Sequence, residues 1–93
     1  MNYRDKIDIR VLRRINDDDL KNELDYLLEV VSPCDFERSG PGEFISDICD
    51  VLKDNFLGDI EIDVSPKTRD VLYFYLVDKF GDYLLKVYKK SKC

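Results

Sequence analysis

The sequence predicts a small α+β domain in which two or three N-terminal helices precede a three-stranded antiparallel β-meander. Three observations carry this. Leucine, isoleucine and phenylalanine recur at helical spacing within residues 20–31 and 45–56, charged and apolar residues alternate over 59–64, and an aromatic run at 71–77 leads into a turn signal. A chain of 93 residues, 44% of them apolar, can build one core and not two, so residues 1–93 form a single domain.

Residues 3–15 fit two periods. Ile7, Val11, Leu12 and Ile15 share a helical face, while Ile7, Ile9 and Val11 alternate as in a strand; the helix is preferred. Next, Asn16 or Asp17 can cap a helix whose apolar side is Leu20, Leu24, Leu27, Leu28 and Val31. It should end at Ser32-Pro33, because proline disfavours helical geometry in the residue before it.

Ser-Pro, Ser-Gly and Pro-Gly pairs make residues 32–42 a loop. A helix follows from about Glu43 to Leu57, with Ile45, Ile48, Cys49, Leu52 and Phe56 on one side and Gly58 placed to stop it. The alternation Asp59-Ile60-Glu61-Ile62-Asp63-Val64 reads as a half-buried strand. The β-favouring residues of Val71–Val77, a type I turn at Asp78-Lys79-Phe80-Gly81 with a left-handed Gly81, and a return through Tyr83–Tyr88 complete the meander. An alternative remains open in the same residues: Ser65-Pro66 is a good helix start and the polar residues of 76–90 fall on one arc, which makes the fold mostly α.

Composition removes whole classes of chemistry. Histidine is absent, so imidazole bases, nucleophile–histidine pairs and histidine zinc sites are excluded, and three scattered cysteines cannot form a four-thiolate site. No cofactor or enzymatic activity is expected. Cys34, Cys49 and Cys93 are an odd set with no close pair, so reduced thiols are expected, with Cys49 as core packing. The longest apolar run, Val71–Val77, is too short to span a membrane, and the charged N-terminus has no signal-like run; a cytoplasmic address follows. The turn Glu37–Glu43 lacks the lysine ending of a phosphate loop, and Asp17-Asp18-Asp19 is explained by the preference of a helix start for acids.

The net charge of -5 conceals a segregation. Residues 1–15 carry two acids and five bases, residues 16–63 fifteen acids and three bases, and residues 64–93 three acids and seven bases. Glu43, Asp47, Asp50 and Asp54 stand at i, i+4, i+7 and i+11, which puts four carboxylates on one helical face. Asp18, Asn22, Asp25 and Glu29 repeat that spacing in the preceding helix.

This pattern points to a binding protein, namely an acidic inhibitor or immunity-type protein that neutralises a basic nucleic-acid-handling enzyme such as a nuclease or toxin domain. Its partner-binding residues are Glu43, Asp47, Asp50, Asp54, Asp18, Asp25 and Glu29. A close variant is a viral or mobile-element DNA mimic; direct nucleic-acid binding by the acidic face is not expected, and neither is a membrane partner. The rival is a structural subunit or homodimer that uses Tyr73 and Tyr75 on one face of the sheet.

Overall fold

A computed structural model of the chain describes residues 7–36 and 38–91. Among the described residues four α-helices occur in the order α1 (Ile9–Leu12), α2 (Asp17–Val30), α3 (Pro41–Ile60) and α4 (Pro66–Lys90), with a 3₁₀ turn at Pro33–Phe36 before α3. No strand occurs among the described residues, so the expected α+β fold with its three-stranded meander is corrected to an all-helical one.

The N-terminal elements start where their capping residues place them. Asp8 caps α1 by accepting from the Arg10 amide at 2.9 Å, and Arg10 Nη2 donates to the Asp63 carbonyl at 3.3 Å, which ties α1 to the α3–α4 connection. The helical preference for residues 3–15 is met over this one turn, while residues 3–6 lie outside the described residues. Asn16 rather than Asp17 caps α2, its Oδ1 accepting from the amides of Asp18 and Asp19 at 3.0 and 3.2 Å. Leu20, Leu24 and Leu27 are buried, and the helix stops before Ser32-Pro33 as the sequence requires.

α3 is longer than expected at both ends. Pro41 occupies its first turn, where a missing amide hydrogen costs nothing, and Gly40 takes the positive φ of 91° that leads into it. Gly58 does not end the helix. Termination falls on Glu61, which adopts the left-handed conformation at φ 52°, an arrangement that glycine would accept with less strain. Ile60, Ile62 and Val64 are half-buried while Asp59, Glu61 and Asp63 are exposed, so the inward–outward alternation of 59–64 is real. It belongs to a helix end and an extended connection, not a paired strand.

The largest correction concerns the last third. Ser65 caps α4 by accepting from the Thr68 amide at 3.2 Å, Pro66 fills the first helical position, and the helix runs unbroken for 25 residues. Asp78–Gly81 lies in its interior. Thr68, Leu72, Leu76, Phe80 and Leu84 recur every four residues and are all buried, which is the ridge a helix offers to a neighbour. The β preference of the tyrosine, phenylalanine and valine residues is overridden by that packing. A hairpin would have left two apolar faces to cover, whereas a helix between neighbours uses both flanks.

α4 lies chiefly along α3, and α2 packs on α3. One contiguous core joins Val11 of α1, Leu24 of α2, Phe44, Ile48 and Leu52 of α3, and Leu72, Leu76 and Leu84 of α4, all at most 2% exposed. Phe44 packs edge-to-face against Phe36 and at a tilt against Tyr88, at 5.5 and 5.8 Å between ring centroids, and Tyr88 Oη donates to the Phe36 carbonyl, which pins the 3₁₀ turn between the start of α3 and the end of α4. The long dimension of 41 Å follows from α4, since 25 residues at 1.5 Å each span about 37 Å.

Candidate functional site

Helical spacing predicts four carboxylates side by side on α3, and the fold leaves Glu43, Asp47, Asp50 and Asp54 all exposed. Their Cα positions span roughly 16 Å along the axis. Opposite them, Phe44, Ile48 and Leu52 face the core. The face is not uniformly acidic, because Lys53 reaches Asp50 at 2.7 Å and Asp54 at 3.6 Å, and Arg69 of α4 approaches Asp54 at 3.8 Å. Burial pulls the Lys53 ammonium down, but the carboxylates of Asp50 and Asp54 outweigh it and hold its pKa above the usual lysine value. Among the described residues Glu43 and Asp47 have no ion pair and present uncompensated charge.

The α2 residues divide. Asp18 and Glu29 are exposed, as a contact surface requires. Asp25 is instead used inside the molecule: Lys21 Nζ donates to both its oxygens at 2.9 Å and Tyr83 Oη donates at 3.0 Å. The Lys21 hydrogen bonds, followed by that from Tyr83, hold the Asp25 carboxyl below the usual aspartate range despite the opposing effect of burial. Lys21 also sits 4.3 Å from the Tyr83 ring centroid, which completes a clasp between α2 and α4.

Tyr73 and Tyr75 do not share a face. Two residues on a helix are about 200° apart, so the pair that a strand would align is split to opposite flanks of α4. Tyr73 shares a 2.8 Å hydrogen bond with Ser46 Oγ of α3, whereas Tyr75 Oη donates to Asp17 of α2 at 3.4 Å. Both rings are half-buried and bind the helices to one another. Lys79 strengthens the α2 side through an ion pair with Asp17 at 2.8 Å.

The cysteines are corrected in part. Cys49 is a free, fully buried thiol, and that burial pushes it up to about 11, so it packs the core and is no nucleophile at neutral pH. Cys34 is disulfide-bonded, contrary to the expectation of reduced thiols throughout; spacing along the chain carries no information on which cysteines a fold brings together.

One feature was invisible in the sequence. A cleft of about 310 Å³ opens between the start of α2 and the end of α3, lined by Arg14, Asn16, Asp19, Leu20, Glu23, Phe56, Asp59 and Ile60. Asn55 Nδ2 donates to Glu23 at 3.0 Å across the α2–α3 contact beside it. The one legible signal was Asp19 and Glu23 four apart on a helix; Asp59 and Ile60 read as strand, so their approach to α2 could not be foreseen. Among the described residues there is no cluster of metal-ligating side chains, and no helix is long and apolar enough to cross a membrane. No known protein family, no curated protein and no solved structure matches this chain.

Proposed function

We propose that this chain is a non-catalytic binding domain that engages a basic protein through the acidic face of α3, as an inhibitor or immunity-type protein neutralising a nuclease, toxin domain or other nucleic-acid-handling enzyme. The observation that carries it is the exposure of Glu43, Asp47, Asp50 and Asp54 along one side of α3. A row of carboxylates attracts a basic surface over long range and rejects acidic ones, which serves speed and selectivity of association. Successive carboxylates one helical turn apart lie about 5–6 Å from one another along the axis, close to the spacing of nucleic-acid phosphates, so the same surface suits a DNA mimic.

The homodimer reading loses its surface, because the tyrosines that were to form it are spent on contacts within the monomer. A cytoplasmic address remains part of the proposal, and the disulfide at Cys34 pulls against it, since such bonds are rare where cellular thiols are kept reduced.

Purification with native partners, identification by mass spectrometry and stopped-flow association with the partner test the reading. The variant Glu43→Gln/Asp47→Asn/Asp50→Asn/Asp54→Asn should stay folded with a modest loss of thermal stability, because Lys53 and Arg69 lose their ion pairs with Asp50 and Asp54, and should associate about tenfold more slowly, with a weaker dependence on salt. Unaltered association in a folded variant overturns the α3 face as the contact.

A further inference from the structure

We propose that the cleft between α2 and the C-terminal end of α3 is the pocket for an arginine side chain of the partner, and that Tyr26 and Val30 receive the apolar residues beside that arginine. The inference rests on the reading of the partner as a basic protein. It places the specific contact away from the α3 face.

The lining suits a long cationic side chain. Leu20, Phe56 and Ile60 supply an apolar wall for a methylene stem, while Asp19, Glu23 and Asp59 supply three carboxylates against one cation, Arg14, among the described residues of the lining. Arginine fits better than lysine because its planar head stacks on an aromatic ring and bonds two acceptors at once. Among the described residues Arg14 makes no ion pair with these carboxylates, so their charge is not consumed within the fold.

A second observation extends the cleft into a docking strip. Asp19, Glu23, Tyr26 and Val30 stand at i, i+4, i+7 and i+11 of α2, within an arc of about 60°. Tyr26 is 58% exposed and Val30 62%, the two most exposed large apolar residues of the molecule's described part. An acidic cleft followed along one helix by an exposed tyrosine and valine matches a segment that carries an arginine next to apolar residues.

The test is an NMR titration of the intact chain with N-acetyl-arginine amide, with N-acetyl-lysine amide and N-acetyl-glutamine amide as comparisons. Saturable shifts at Leu20, Phe56 and Ile60 are expected for the arginine compound at roughly millimolar Kd, at least fivefold weaker for lysine and none for glutamine. Asp19→Asn/Glu23→Gln/Asp59→Asn should weaken arginine binding at least fivefold, and Arg14→Gln should tighten it by removing a competing cation. Asp59→Asn alone keeps the test available should the triple variant not fold, because it removes a negative charge from the negative end of a helix. Shifts confined to the α3 face, or equal binding by the triple or single cleft variant and the parent, overturn the inference while leaving the acidic-inhibitor reading in place. Saturation at the cleft that survives the amide variant of the α3 face supports the inference, even where that variant associates with the protein partner as fast as the parent and the α3 contact is lost.

Discussion

At the scale of single residues, glycines separate the two readings of the C-terminal third. Gly81 was expected to be left-handed in a turn, and it lies instead within α4 with open space where a Cβ would stand. Gly81→Ala should therefore stabilise the protein by up to about 1 kcal/mol, because alanine is the better helix former and loses less backbone freedom on folding. Gly40, at φ 91°, should respond in the opposite direction, losing about 1 kcal/mol or more on the same change. Urea denaturation of the two variants checks both signs, and a destabilised Gly81→Ala protein would restore the turn. Cys49 shows the residue scale agreeing with the sequence: an apolar helical position in an acidic neighbourhood becomes a buried, unreactive thiol.

At the scale of elements, α2 and α4 are joined by long polar side chains more than by close backbone approach. The Lys21–Asp25–Tyr83 clasp is one such join, and it makes the pairing sensitive to pH. Because the folded-state value of Asp25 lies below its ordinary one, its contribution is complete above the unfolded value of about 3.9 and is lost as pH falls through the folded value. Asp25→Asn should thus destabilise at about pH 7, by no more than about 1 kcal/mol given the half-exposed site, and the difference from the parent should fade towards pH 2. Thermal or urea midpoints of both proteins across that range supply the measurement. A constant difference would mean that Asp25 acts through shape and not charge.

For the whole molecule, α3 is the partner that α2 and α4 share, and α4 supplies its longest packed ridge. Leu76 is fully buried near the middle of the α4 ridge, and the core it joins draws on all four helices. Leu76→Ala should cost about 2–5 kcal/mol through lost burial and the cavity left behind. Set against a typical stability of 5–15 kcal/mol, that is a large fraction, so circular dichroism should show a markedly lower melting transition. The same change in the exposed Phe74 should be nearly silent. Charge is distributed at this scale too: acids crowd α2 and α3, bases occupy the ends of the chain, and Arg69 and Lys79 of α4 bring some of that basic charge back onto Asp54 and Asp17.

Periodicity and local signals determined that α2 and α3 are helices, which sides of them are apolar, a cap at Asn16 or Asp17, the stop before Pro33 and the outward row of carboxylates on α3, but not the ends of α3. Each of these depends on neighbours within a few turns, which is the range over which spacing and capping act. The tertiary structure decided what those rules leave degenerate. A run such as Val71–Val77 is apolar at every position and satisfies either period, so its state rests on which partners cover it; α2 and α3 each present an apolar side, and a helix laid along them buries Leu72 and Leu76 while its tyrosines reach outward to both. The separation of Tyr73 from Tyr75, the reach of Tyr83 to Asp25, the bonding of Cys34 and the approach of Asp59 to Asp19 all follow from that long-range packing.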